Sequence, residues 1–270
     1  MKDPKEEKLL NEILPNVASQ LRGSLGNIHV ALQHLAPTGE EGTEGERDLA
    51  IINQSYYRLL RVVNNLSAAP MLLETTPFLL QNVELVEWLN GLCRQAQPLA
   101  EEAGVALTFT CQLSRHTIGI HKEHLERLVW NLLSNAIKFT PRGGEITVSL
   151  RVNGGQVLLS VADNGCGISE ELQETVFDRY LHPQRMDPLP HGLGLGLPLC
   201  RRIAEGHGGR LLLQSREGEG TTVTAALPDR RAAGDMVRDV SFHYAGGFQT
   251  VLVELADALP YGAFRPRHID

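Results

Sequence analysis

Asn131-Leu-Leu-Ser-Asn135-Ala-Ile-Lys138-Phe139-Thr140 is the stretch on which the reading of this chain turns. Leu132, Leu133, Ile137 and Phe139 recur at helical spacing, so the segment predicts a half-buried helix. Asn131, Asn135 and Lys138 are four and three residues apart and therefore share one face of it. Neutral amide oxygens suit a hard magnesium ion that keeps most of its water and takes its other ligands from phosphates. A lysine one turn further on can meet phosphate oxygens as a mobile point charge. Alone, two asparagines and a lysine are usually a solvated helix face, so the neighbouring stretches have to decide.

Downstream, the apolar strand Val157-Leu-Leu-Ser-Val161 leads to Asp163-Asn-Gly165-Cys-Gly167. A carboxylate at that point can accept from an exocyclic amino group of adenine, and glycines beside it let a ring lie against the backbone. Without its neighbours the same wording would be an ordinary turn after a strand. Phe177-Asp-Arg-Tyr180 follows, and then Gly192-Leu-Gly194-Leu-Gly196-Leu runs directly into Leu197-Pro-Leu-Cys-Arg-Arg-Ile-Ala. Pro198 fits the first turn of a helix, and glycine N–H groups at a helix start form an anion site. No Gly-Lys-Ser/Thr follows, which excludes a P-loop, and Leu197 stands where a dinucleotide fingerprint needs its third glycine.

In this order the four stretches resemble the ATP-binding domain of sensor histidine kinases, within the superfamily that includes gyrase and the Hsp90 chaperones. The resemblance implies ATP and Mg2+ as ligands. It places Asn135 as the magnesium ligand, with Asn131 and Lys138 beside it at the phosphates. Asp163, Gly165 and Gly167 then serve adenine, while Gly192, Gly194, Gly196 and Thr222 complete the nucleotide site.

Upstream, Leu10, Leu14, Val17, Leu21, Ile28 and Leu35 give a helical seam, with Ser24 and Ala31 filling its remaining positions. Pro15 either opens that helix or kinks it. A turn at Pro37–Gly45 leads to a second helix, from about Glu46 to Ala69, with Ile52, Ser55, Leu59, Val62 and Leu66 on its seam. Two such helices cannot bury both stripes alone. A four-helix bundle across a two-fold axis solves this, as does packing on the following domain. The hairpin resembles the dimerisation module of the same kinase family, which favours the homodimer.

The expected fold is therefore α+β. Residues 1–69 form a two-helix dimerisation and phosphotransfer-like domain, residues 70–228 a sandwich with helices on one face of a mixed sheet, and residues 229–270 an extension of unknown role. Strands are expected at 79–85, 105–111, 117–120, 145–153, 156–162, 210–215 and 221–227, with helices at 86–103, 123–139 and 197–206. In the extension, Asp239–Tyr244 reads as a strand, Ala245-Gly-Gly as a tight turn, and Phe248–Leu255 as a second strand or short helix.

The 270 residues carry a net charge of −7, which gives no footprint for nucleic acid. The four cysteines form no Cys-x-x-Cys pair, so neither zinc nor a disulfide framework is expected. A charged N-terminus and the absence of a long apolar run predict a cytoplasmic protein without membrane insertion, its input domain missing or on another chain.

Relatives carry a phosphoacceptor in a pattern such as Ser-His-Glu-Leu-Arg-Thr-Pro-Leu. This chain has Ala18-Ser19-Gln20-Leu21-Arg22-Gly23-Ser24-Leu25, so Ser19 stands at the histidine position and Gln20 at the acid/base position. A serine hydroxyl is a poor nucleophile without an adjacent base, and Gln20 cannot be one. The expectation is an ATP-binding two-component protein that lacks its own acceptor. It would phosphorylate a partner or act as an ATP-gated scaffold for a response regulator or a partner histidine kinase. The alternative is a serine protein kinase of the anti-sigma-factor type, which shares the ATP fold.

Overall fold

The computed structural model describes residues 44–73, 78–173, 175–177, 194–233 and 249–265, together with the helical residues 18, 21, 25 and 28. Helix α1, Glu44–Ala68, ends in a 3-10 turn over Ala69–Leu72 whose first turn takes Pro70. Strand β1, Gln81–Glu84, is shorter than the sequence suggested, because Leu85 already begins helix α2, Leu85–Glu102. The Glu84 carboxylate sets that boundary. It accepts from the N–H groups of Val86 and Glu87 at 3.3 and 2.7 Å, and also from His116 N–H at 2.7 Å.

The chain continues through β2, Ala106–Cys111, and β3, Thr117–Ile120, into helix α3, Lys122–Phe139. A hairpin of β4, Glu145–Asn153, and β5, Gln156–Asp163, follows, then the short helix α4, Glu170–Gln173. Helix α5, Gly196–Gly206, leads to β6, Arg210–Arg216, and β7, Gly220–Pro228. Helix α6, Thr250–Leu255, and a 3-10 turn over Tyr261–Phe264 complete the described elements. The alternative of a strand at residues 248–255 is thus settled as a helix, and the expected strand and turn at residues 239–247 lie outside the described residues.

Five strands form one sheet in the order β2-β4-β5-β7-β6, parallel between β2 and β4 and antiparallel elsewhere. Ile146, Val148 and Leu150 on β4 alternate with more accessible residues, as do Val157, Leu159 and Val161 on β5. One face is therefore packed and the other is wetter. Leu125, Leu128, Val129, Leu132 and Leu133 of α3 and Leu199, Ile203 and Ala204 of α5 fill the packed side. The mixed sheet with helices on one face matches the fold class read from the sequence.

Strands β1 and β3 pair as a separate antiparallel ribbon. Residues beyond β7 stay with it: Asn82 exchanges two hydrogen bonds with Ala232, and Gly119 N–H donates to Arg230 O at 2.8 Å. The chain thus remains on the sandwich for several residues after Pro228.

Helix α1 shows two faces. Leu49, Tyr56, Tyr57, Leu60 and Val63 are buried within this single chain. The seam expected for a bundle faces outward: Ile52 is 47% and Leu59 43% exposed, Ser55 is exposed, and Val62 and Leu66 are partly covered. On the first helix Ala18 and Leu25 are buried, whereas Ile28 is 48% exposed.

Three imidazoles and one benzene ring close the end of the sandwich nearest β1. His121 and His124 stack at 3.8 Å, Phe78 lies 4.5 Å from His124 and 5.3 Å from His207, and the Arg202 guanidinium covers Phe78 at 5.2 Å. A side chain at Gly206 would strike the Phe78 ring. Buried His207 accepts the His121 N–H at Nε2, 2.9 Å, so its Nδ1 carries the proton that reaches Ile203 O at 2.7 Å. Burial pushes the proton affinity of His207 down. It lowers His124 as well, to about 4, helped by His121, Arg127, His207 and Arg202 nearby.

Folded-state pKa values below the unfolded value near 6.5 mean that the unfolded chain binds more protons as the solution acidifies. The stability these neutral imidazoles contribute is present above pH ~6.5 and is lost as pH falls toward 4. Melting temperatures followed from pH 7 to pH 4.5 should drop more steeply for the parent chain than for His124→Gln. Parallel curves would show that His124 is not neutral by virtue of the fold.

Candidate nucleotide-binding site

Helix α3 places its amide face beside the start of α5. Asn131 is only 2% exposed; its Nδ2 donates to Arg127 O at 3.0 Å, and its Oδ1 lies where a Cβ on Gly196 would meet it at 3.2 Å. Cys200 Sγ reaches Leu128 O at 3.7 Å, which marks how closely the two helices approach. Asn135 is half-buried one turn along α3. Lys138 Nζ sits 5.0 Å from the Phe139 ring. Among the described residues no side chain caps the α5 N-terminus, which starts just after Gly194, itself at φ +70°. The first N–H groups of a helix have no intrahelical acceptor and favour an anion.

Asp163 closes β5 and is half-buried. Its Oδ1 accepts from Gly165 N–H at 2.9 Å and from Thr221 N–H at 3.3 Å, and both of its hydrogen bonds among the described residues go to that oxygen. Burial raises the carboxyl above the ordinary aspartate range, and the two N–H donors pull it back. Gly165 has a reason within the fold: a side chain there would strike Phe139 O and come 2.8 Å from Asp163 Oδ1. Gly167, at φ +68°, lies against the Arg216 carbonyl.

The loop after Asp163 is held on both sides. Asn164 Oδ1 accepts from Glu145 N–H at 2.8 Å, Cys166 N–H donates to Phe139 O at 3.2 Å, and Ile168 N–H donates to Ser215 Oγ at 2.8 Å. A shallow cavity of about 360 Å³ lies between this loop and the end of α3, lined by Lys138, Phe139, Thr140, Asn164, Gly165 and Cys166, among others. A larger one of about 580 Å³, lined by Trp88, Trp130 and Gln249 among others, lies elsewhere, between α2, α3 and the start of α6.

The structure thus brings Asn131 to Gly196, Lys138 to Gly165, and Asp163 to Gly165 and Thr221. Thr222 pairs with Ala162 and Gln214 in the sheet, and it is the preceding residue that reaches Asp163. Sequence reasoning passed over Thr221, although the Asp163↔Thr221 register follows once β5 and β7 are aligned. Phe177 lies 5.8 Å from the Arg201 guanidinium on α5. Gly192, Tyr180, Ser19 and Gln20 lie outside the described residues.

The arrangement fits a magnesium nucleotide. The Asn131 amide oxygen approaches the start of α5, and half-buried Asp163 closes β5 just before the Gly165 that packs on the end of α3.

Residues 120–231 match the family described as histidine kinase-, DNA gyrase B-, and HSP90-like ATPase. The histidine protein kinase DivJ of Caulobacter vibrioides is 34% identical over 180 residues, covering 66% of this chain and 30% of DivJ. The sensor protein DivL of the same organism is 28% identical over 242 residues, covering 87% of this chain and 30% of DivL. The adaptive-response sensory kinase SasA of Crocosphaera subtropica is 30% identical over 238 residues, covering 82% of this chain and 60% of SasA. The chain spans 16% of the length of histidine kinase P4 of Formosa agariphila and 30% of DivL and DivJ. Among solved structures, full-length ShkA in complex with AMPPNP shares the fold over 83% of this chain and 47% of its own, with a TM-score of 0.64 at 24% identity. Among the described residues no helix is long and apolar enough to cross a membrane. The chain belongs to the sensor histidine kinase family and carries that family's ATP-binding domain.

Proposed function

We propose that the chain binds Mg2+-ATP in the crevice between α3, α5 and the Asp163–Gly167 loop, and that it transfers or gates phosphoryl groups for a partner rather than for itself. The partner would be a response regulator or a second histidine kinase. The observation that carries this reading is the approach of Asn131 Oδ1 to Gly196, which sets the amide face of α3 against the start of α5. The AMPPNP bound to ShkA supports the nucleotide, and the complex of the kinase ThkA with the response regulator TrrA, at a TM-score of 0.55, supports the partner class.

Asn135 and Asn131 would hold magnesium, and Lys138 with Gly192, Gly194 and Gly196 the phosphates. Bound ATP supplies the phosphoryl group, and magnesium neutralises its charge. Asp163 would fix the adenine amino group through Oδ2, since Oδ1 is occupied by Gly165 and Thr221. Thr222, Gly165 and Gly167 shape the same end. Burial raises the Asp163 carboxyl, and the two N–H donors on Oδ1 act the other way and favour its anionic, accepting form.

Ser19 at the acceptor position and Gln20 beside it replace the histidine nucleophile and the adjacent acidic residue of the family's pattern, and a glutamine cannot take the hydroxyl proton. Residues 1–69 would pair with a second copy. The exposed Ile52, Ser55 and Leu59 on α1 support this, because an apolar helical seam left in water is costly until a partner covers it. A cytoplasmic location accords with this role.

Asp163→Asn keeps an oxygen for Gly165 and Thr221 but removes the charge. Since a hydrogen bond to a charged group contributes about 1.5–3 kcal/mol, ATP affinity measured by calorimetry should fall roughly tenfold to a hundredfold. Unchanged affinity would place adenine elsewhere. Incubation with magnesium and gamma-labelled ATP should leave no acid-labile label on the chain. Such label would restore a histidine acceptor, and acid-stable label would favour a serine-directed kinase. In sedimentation, the parent should run at twice its 29.7 kDa and Leu59→Glu as a monomer; a monomeric parent would remove the dimer.

A further inference from the structure

The residues after the ATP-binding domain return to a place that matters for its chemistry. Gln249–Arg265 lies in the angle between α1 and α3. Leu252, Val253, Leu255, Ala256, Leu259, Ala263 and Phe264 are buried there, with the Phe264 ring 5.5 Å from Tyr57. Helix α1 grips the segment along its length. Asn53 Nδ2 donates to Phe264 O at 3.2 Å, Gln54 Nε2 to Leu259 O at 2.7 Å, and Arg58 Nε to Ala256 O at 3.3 Å.

The junction is Arg61. Its Nη1 lies 3.3 Å from Asp257 Oδ2 and 2.5 Å from Ser134 Oγ, and Ser134 sits on α3 between Asn131 and Asn135. A single buried guanidinium therefore connects the helical module, the C-terminal segment and the helix that carries the magnesium and phosphate candidates. Arg127 of α3 adds a bond to Asn64 O at 3.4 Å. Half-buried Glu254 shares this cluster with Arg61, Arg127 and Glu126, and burial raises its carboxyl.

We propose that Gln249–Arg265 is an autoinhibitory strap. It clamps α1 to α3 and holds the nucleotide-binding unit docked on the helical module, where the γ-phosphate cannot be presented to an acceptor on a partner. Phosphoryl transfer needs reacting atoms ~3–3.5 Å apart in line, so a unit tied to one helix reaches a partner only after release. The strap is built to let go. Three of its contacts with α1 are side chain to carbonyl bonds that water replaces at modest cost. The Nε of Arg61 is buried without a hydrogen-bond partner among the described residues, so the closed state carries an unmet desolvation cost at its latch. The device rests on the functional reading above for what it inhibits, and on the contacts alone for its existence.

The test uses the full chain with Gln54→Ala, Arg58→Ala and Asp257→Asn combined, none of which lies in the nucleotide crevice. Three quantities are read: hydrogen exchange, ATP affinity and ATP consumption with magnesium. Exchange across residues 250–264 should quicken at least tenfold while β4 and β5 stay protected, which also shows that the variant is folded. ATP affinity should stay within twofold, and consumption, in which water takes the phosphoryl group when no partner is present, should rise at least fivefold. Quickened exchange with consumption unchanged or lower, including none in either protein, overturns the autoinhibitory role. Exchange unchanged in the triple variant overturns the strap itself. A parent chain that binds no ATP overturns the proposed function, and the inhibitory role with it, while exchange alone still judges the contact.

Discussion

Packing of α3 against α5 is the contact on which both the fold and the candidate site depend. Leu125, Leu128, Val129, Leu132 and Leu133 commit one side of α3 to the core, which fixes its rotation about its own axis. Once the rotation is fixed, Asn131 has no choice of direction, and its amide meets the first residue of α5. The end of α3 is held as firmly, since Phe139 O accepts from Cys166 N–H and leaves Gly165 no room for a side chain. A buried leucine truncated to alanine costs about 2–5 kcal/mol in such a core. Here it would also let the Asn131 amide turn away from the start of α5.

The same helix explains why the strap sits where it does. Its core side is spent on the sheet and α5, and its amide face on the crevice. What remains, around Arg127, Ser134 and Trp130, is available to α1 and to the C-terminal segment. Helix α1 divides its surface in a matching way. Tyr56, Tyr57, Leu60 and Val63 face inward, while Ile52, Ser55 and Leu59 face out. Covering the inner face therefore leaves the outer seam free, so the proposed strap and the proposed dimer would not compete for one surface.

Most strand and helix positions were legible because their periodicity was clean. The alternating runs of β4 and β5 and the three-four pattern of α3 each had one physical solution. Asp163 stood out because a charge that ends an apolar strand demands a partner. The misses share a cause, which is that the deciding partner is remote in sequence. Leu85 reads as strand until the Glu84 carboxylate is seen to cap α2 while also accepting from His116. Thr221 acquires its tie to Asp163 only through the β5–β7 register. The seam on α1 was readable, but not the second face that packs inward, because Asn53, Tyr57 and Arg61 find partners some two hundred residues later, at Phe264 and Asp257. No local pattern in Phe248–Leu255 separates strand from helix; the apolar angle between α1 and α3 selects the helix.

The nucleotide-site candidates among the described residues are held by contacts within the ATP-binding domain itself. The amide face of α3 is set by its own core packing, and the Asp163 loop is pinned by Ser215, Phe139 and the β6–β7 turn. Arg61 links the helical module to α3 by bonding directly to Ser134, and Arg127 adds a second tie to Asn64 O. Charge burial makes that link expensive to keep, because removing any one partner strands a guanidinium in a low-dielectric setting. A contact with that cost and no role would be easily replaced by apolar packing of similar volume. Its position between Asn131 and Asn135 ties the state of the strap to the helix that would hold magnesium.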